Sequence, residues 1–150
     1  MTSIERQDDI RQIERLRADY FYAVDTKDWS LFKSIFTPNL KTDFSKGGAV
    51  EDKSLIMNDR ESFIENTMRI HTNVKAIHYG VNPRIDFLDQ DHAKASWAMA
   101  YTIWIGDGAL MPKGVMRGWG HYHDEYVRTS DGWRISSVTQ ISQRFEMAEA

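Results

Sequence analysis

A chain of 150 residues with a formal charge of −3 and a pI near 5.9 is the size of one domain, residues 1–150. Such a chain buries roughly two-thirds of its unfolded surface around one core. Its basic residues are scattered rather than gathered into a stripe, which excludes the electrostatic footprint of a nucleic-acid binder, and the absence of cysteine excludes thiolate nucleophiles, disulfide frameworks and sulfur-ligated metals.

Ile10, Ile13, Leu16, Tyr20 and Val24 recur at three and four residues, which predicts a long helix from Gln7 to about Val24 with one buried face. Asp28 is placed to cap a second, short helix through Trp29, Leu31, Phe32, Ile35 and Phe36, and Pro38 stops it. The alternating stretch from Leu40 to Ser45 then turns at Lys46-Gly47-Gly48 into a brief return strand, Ala49 to Asp52. Asp59 caps a third helix whose inner side carries Phe63, Ile64, Thr67 and Met68. Four long strand patterns follow, about Lys75 to Phe87, His92 to Ile105, Lys113 to Thr129 and Trp133 to Phe145. Turn chemistry separates them: Asp89-Gln90-Asp91, Gly106-Asp107-Gly108 and Ser130-Asp131-Gly132. Helices first and an antiparallel meander after make an α+β pattern. The helices cover one face of a strongly curved sheet, which leaves a blind apolar pocket at its mouth. The N-terminus is charged and no apolar run reaches the length of a bilayer span, so the expected location is the cytoplasm, with no membrane partner.

Two proton-handling residues sit in stretches too apolar and aromatic for ordinary surface. Asp25 ends the run Tyr20-Phe21-Tyr22-Ala23-Val24-Asp25, and His78 lies inside Val74-Lys75-Ala76-Ile77-His78-Tyr79-Gly80. If the two segments meet, the carboxylate fixes one ring nitrogen as donor and leaves the other free as a base. A carboxylate at a helix C-terminus is disfavoured by the dipole, so it needs such a partner. The competing reading makes His78 a satisfied core histidine and Asp25 a turn former. The alternation Trp97, Met99, Tyr101, Ile103 puts four side chains on one strand face, taken as the pocket face. Phe44, Phe63, Met68, Trp97 and Met99 are the expected pocket wall, Tyr22 joins the substrate-binding set, and Asn82 is placed to orient a polar substrate group. His71 and His92 receive no chemistry.

The helix ending in Tyr-x4-Asp, the short helix with Trp and Phe, His-Tyr-Gly-x-Asn at 78 to 82, and Asp-Glu-Tyr-x-Arg before Asp-Gly-Trp together carry a resemblance. From Ile13 to about Phe145 the chain resembles the SnoaL-like branch of the nuclear transport factor 2-like (cystatin-like) superfamily. Within that branch the chain resembles γ-hexachlorocyclohexane dehydrochlorinase and, less strongly, bile acid 7α-dehydratase and scytalone dehydratase. The resemblance implies a cone-shaped curved antiparallel sheet covered by N-terminal helices, and an elimination that begins with proton removal. It implies His78 as base, Asp25 as the aspartate that holds it, and Tyr20 as a catalytic tyrosine. Tyr101 stands where the dehydratases place a further acid or histidine, and a pocket phenol there donates a hydrogen bond without carrying charge. Val138 stands where the dehydrochlorinase has an arginine, leaving Arg144 as the nearest basic residue on that strand.

Tyr122 matches the pocket-facing phase of the same relative, so His121 and His123, which with Glu125 superficially form a metal triplet, point to the outer face. No metal and no other cofactor is expected. With relatives as the guide, His121, His123 and Val127 are candidates for the contact of a homodimer or homotrimer. The expected partner is a small hydrophobic molecule, and the expected function is a cofactor-independent lyase, a dehydratase or dehydrohalogenase. An isomerase or cyclase using the same base, and a non-catalytic binding or accessory subunit, remain open beside it.

Overall fold

The computed structural model describes residues 2–149. The first helix, α1 (Ser3–Thr26), opens on a capping box in which Thr2 and Glu5 each take the other's backbone N–H. It starts earlier than its apolar stripe because the cap, rather than the core, sets its beginning. Lys27, in the left-handed region at φ 59°, ends it. Asp28 accepts from the Leu31 N–H at 3.1 Å and starts α2 (Trp29–Ser34).

That helix stops two residues short of the expected Phe36, which already belongs to β1 (Phe36–Lys46). Pro38 therefore lies inside a strand, in the stretch where pairing slips between Phe36 and Lys41; a proline is tolerated at such an irregularity because no ladder bond is asked of it. The expected return strand at 49–52 is loop. The short pairing segment is instead β2 (Ile56–Met57), reached after a single 3-10 turn at Lys53–Leu55. Asp59 caps α3 (Arg60–Ile70) by accepting from the Ser62 N–H at 2.7 Å.

The second half is strand: β3 (Val74–Phe87), β4 (His92–Ile105), β5 (Gly114–Thr129) and β6 (Gly132–Glu149). The six strands lie in the order β2-β1-β6-β5-β4-β3, in a curved sheet that does not close. β3 to β6 form the expected antiparallel meander, but β1 joins β6 in parallel, so the sheet is mixed. The helices cover the concave face. Ile13, Leu16, Tyr20, Phe21 and Val24 of α1 pack with Trp97, Tyr122, Tyr126, Trp133 and Ile135 of the sheet into one core.

Within that core Arg17 lies almost wholly buried against Asp124, Nε to Oδ2 at 2.9 Å and Nη2 to Oδ1 at 2.5 Å. Its guanidinium also stands over the Tyr20 and Tyr122 rings, 4.3 and 4.1 Å from their centroids. No helix of the described residues is long and apolar enough to cross a membrane.

Candidate functional site

Asp25 and His78 meet. The last turn of α1 crosses the start of β3, and the Asp25 carboxylate takes two hydrogen bonds from one residue. Oδ1 lies 2.6 Å from His78 Nδ1, and Oδ2 accepts the His78 backbone N–H at 3.0 Å. A carboxylate accepts only, so Nδ1 carries the hydrogen, and in the neutral ring the lone pair is on Nε2. The two donors also offset the unfavourable helix C-terminus that the acid occupies.

The ring is held from its face as well. Phe21 stacks on His78 at 5.5 Å between centroids and 6° between planes. Gly80 makes room for that phenyl ring, since a Cβ there would stand 2.6 Å from Phe21 Cε2. The imidazole is thus fixed in orientation before any ligand arrives.

His78 faces a cavity of about 310 Å³ between the helices and the open end of the sheet. Tyr20 and Val24 of α1, Phe44 of β1, Phe63 of α3, Tyr101 and Ile103 of β4 and Tyr122 of β5 form its wall. Gly47 and Gly48, Leu55 and Met57, Ile70, and Met111, Met116 and Phe145 extend it, so the surroundings are mostly aromatic and aliphatic, with Asn66, Thr67, His71 and Gln140 as polar members beside His78. Among the described residues no Lys, Arg, Asp or Glu lines it. Tyr101 lies beside His78, ring centroids 5.7 Å apart, and its ring covers Gly118 on the next strand, where a Cβ would collide with it. Burial pushes the Tyr101 phenol up to about 12. Burial also raises Tyr20 and Tyr122, against the opposing pull of Arg17. All three remain neutral hydrogen-bond donors near neutral pH.

Several expected wall residues lie elsewhere. Tyr22 is two residues from Tyr20 on a helix of 3.6 residues per turn, which turns it to the opposite, solvent side, where it is 61% exposed. Met68 likewise misses the inner stripe of Phe63, Ile64 and Thr67 and is exposed. Asn82 sits at φ 55° where the pairing of β3 slips between Val81 and Arg84, and it is exposed rather than near the cavity. Trp97 and Met99 do share the inner face with Tyr101, but they lie where the helices fill the cone. Trp97 spends its indole N–H on the Tyr126 hydroxyl at 3.1 Å.

Val138 is buried in that same filled region, and cavity lining by β6 begins only at Gln140. Arg144 points outward to Glu146, Nε to Oε1 at 2.6 Å, while Phe145 takes the inward place. His121 and His123 flank the inward Tyr122 and lie on the outer face, with ring centroids 6.3 Å apart. No group of three potential ligands among the described residues is arranged to hold a metal ion.

Gln140 and His71 are among the lining residues that the sequence pattern did not single out. Gln140 donates to the Tyr122 hydroxyl at 3.2 Å, and its signal was a polar residue in the inward phase after Val138. His71 stands four residues beyond Thr67 and seven beyond Ile64, a spacing that continues the inner stripe of α3 to its end.

Comparison with known proteins agrees with this architecture. A hexachlorocyclohexane dehydrochlorinase (LinA type 2) superposes with a TM-score of 0.82 at 17% identity, over 99% of this chain and 95% of the other. A scytalone dehydratase-like protein of Novosphingobium aromaticivorans gives 0.82 at 15% identity, over 99% and 93%. In sequence, the probable cyclase FGR4 of Gibberella zeae is 27% identical over 135 residues, 84% of this chain and 85% of that protein. The structural likenesses establish the fold, and the model of the SnoaL-like domain matches residues 5–139, from the first turn of α1 into β6. The chain belongs to the SnoaL-like domain family.

Proposed function

We propose that the protein is a cofactor-independent lyase that eliminates water or halide from a small hydrophobic molecule, with His78 as the base. The observation that carries this reading is the Asp25–His78 hydrogen bond at the wall of an apolar cavity. His78 Nε2 takes a proton from a carbon next to the leaving group, and Asp25 stabilises the imidazolium. Tyr101, or Tyr20 deeper in the cavity, donates a hydrogen bond to the oxygen on which charge develops. As the carbon–oxygen bond breaks, the proton held by His78 leaves with the hydroxyl as water and a carbon–carbon double bond remains.

A second reading, an isomerase or cyclase with the same base and no leaving group, is favoured by the lack of a cationic side chain in the wall and by the name of the Gibberella relative. Product mass separates the two, since elimination loses water or a hydrogen halide and isomerisation loses nothing. On a substrate found by screening cyclic hydroxyketones and halides, His78→Ala and Asp25→Asn are each expected to lower turnover about 10²–10⁴-fold. Turnover unchanged in both variants sinks the reading. A co-purified ligand recovered chemically unaltered after incubation points instead to a binding subunit.

We also propose that copies of the chain associate through the outer face of the sheet. Tyr79, Ala100 and Trp119 form one cross-strand row there, and Val81, Ala98, His121 and Ile141 the next. Their large apolar members are exposed, which is unusual for a sheet face of a monomer. Native mass spectrometry is expected to give a dimer or trimer that Trp119→Glu converts to monomer. A monomeric parent protein refutes it.

A further inference from the structure

His71 is a second imidazole in the wall of the cavity, and nothing in the elimination just described employs it. Its ring centroid lies 6.4 Å from that of His78 and 6.3 Å from that of Trp29. The two ring nitrogens have unequal fates. Nδ1 lies 2.8 Å from the Thr67 carbonyl oxygen, which can only accept, so Nδ1 carries the hydrogen. Nε2 is buried and has no hydrogen-bond partner. Burial depresses the His71 pKa below its usual 6.5, with His78 adding to the effect and the Thr67 carbonyl opposing it. At neutral pH the ring is therefore uncharged and Nε2 is a bare acceptor. A buried acceptor without a donor is unfavourable until something brings it a hydrogen.

We propose that His71 Nε2 receives a hydroxyl of the ligand, which makes that ligand an apolar alcohol, phenol or hydroxyketone rather than a hydrocarbon or a simple halide. The tyrosine hydroxyls of the wall can each donate, whereas neutral His71 can offer Nε2 only as an acceptor. The cavity thus complements a molecule that accepts at Tyr101 and donates at His71. With the two imidazoles 6.4 Å apart, one small ring can meet both. Of the two eliminations this recognition fits dehydration, in which the hydroxyl seated at His71 receives the proton that His78 has taken and leaves as water. The inference rests on the elimination reading for the choice of reaction, while recognition of the hydroxyl is a matter of binding alone.

The test uses two probes of nearly equal shape, 4-chlorophenol and 4-chlorotoluene, with the protein labelled with ¹⁵N at histidine. In the free protein His71 is expected as the neutral Nδ1–H tautomer, and its Nε2 resonance is expected to move upfield with the phenol and not with the toluene. The ratio of the two dissociation constants is expected to shift about tenfold against the phenol in His71→Phe. His71→Gln, which offers Oε1 as an acceptor, is expected to restore most of it.

An Nε2–H tautomer in the free protein overturns the proposal, as does a ratio unchanged in a folded His71→Phe variant. Failure of the lyase reading looks different: His78→Ala would leave turnover intact and the phenol preference with it.

Discussion

Asp124→Asn keeps the outline of the side chain but removes the countercharge from Arg17, whose own side chain is 1% exposed. Burial alone would drive the guanidinium toward its neutral form, but the paired carboxylate outweighs it and holds Arg17 firmly charged. Asp124 also accepts the Tyr126 hydroxyl at 2.7 Å, and Tyr126 in turn accepts from Trp97, so the substitution disturbs a chain of buried bonds. Arg17 Nη1 already lacks a partner, which leaves little spare solvation for the cation.

Breaking one side of such a pair costs about 3–5 kcal/mol, a large share of the about 5–15 kcal/mol that holds a typical domain together. For this chain length the corresponding fall in Tm is on the order of 10 °C. Thermal and urea unfolding followed by circular dichroism would measure it. The double variant Arg17→Met with Asp124→Leu is expected to recover most of the loss, because it removes both charges together. The reasoning is refuted if Asp124→Asn costs less than about 1 kcal/mol, the level of an exposed ion pair, or if the double variant is no more stable than the single one.

Tyr101→Phe is expected to lower kcat about 10²–10³-fold with KM little changed, because the lost hydrogen bond forms fully only as charge develops on the substrate. Since burial pushes the Tyr101 phenol up to about 12, the pH–rate profile should keep its shape in that variant, and a vanished alkaline limb would contradict the assignment.

Asp9 accepts from Arg128 Nη2 and Trp133 Nε1, both at 2.8 Å; burial opposes its charge, but these donors prevail and hold the carboxyl below its usual 3.8. Its stabilising contribution is therefore complete above the unfolded value and fades as pH falls through the folded one. Asp9→Asn should flatten the acid side of the stability–pH curve in urea melts, and an unaltered slope would remove Asp9 as its source.

What could be read from residue order is what depends on local chemistry. The caps at Asp28 and Asp59 are local, as is the turn at Asp89-Gln90-Asp91, where the Asp91 N–H bonds Asp89 Oδ1 at 2.7 Å. The meeting of Asp25 and His78 was legible because both are ionisable residues among apolar neighbours. Strand phase was legible only as far as the first irregularity. In β6, Ile135 and Val138 both point inward although their parity differs, because the ladder slips between Glu125 and Tyr126 of β5. It slips again between Trp119 and Gly120, which turns Arg144 out and Phe145 in. Each slip reverses which alternate residues face the core, and nothing in the side chains announces it. Depth in the cone was equally hidden: Trp97, Met99 and Tyr101 share a face, yet only Tyr101 reaches the open end. In the third helix Met68 lies one position too far round to face the core, whereas His71 carries the inner stripe one turn further.

The parallel seam between β1 and β6 joins parts of the chain that are made far apart during synthesis. Thr42 pairs with Val138, and Trp133 bonds Asp9 across 124 residues of chain, so the first strand made waits for the last. Such distant closures are entropically late, whereas the β3–β4–β5 meander assembles from neighbours. Helix α1, which carries Asp25, is itself held by Arg17 on Asp124 of β5 and by Asp9 on Trp133 of β6, so the Asp25–His78 contact is fixed only when those strands are in place. The pair and the wall that carries Phe44 and Gln140 thus depend on the same last strand, and a ligand finds its full enclosure only with β6 paired to β1.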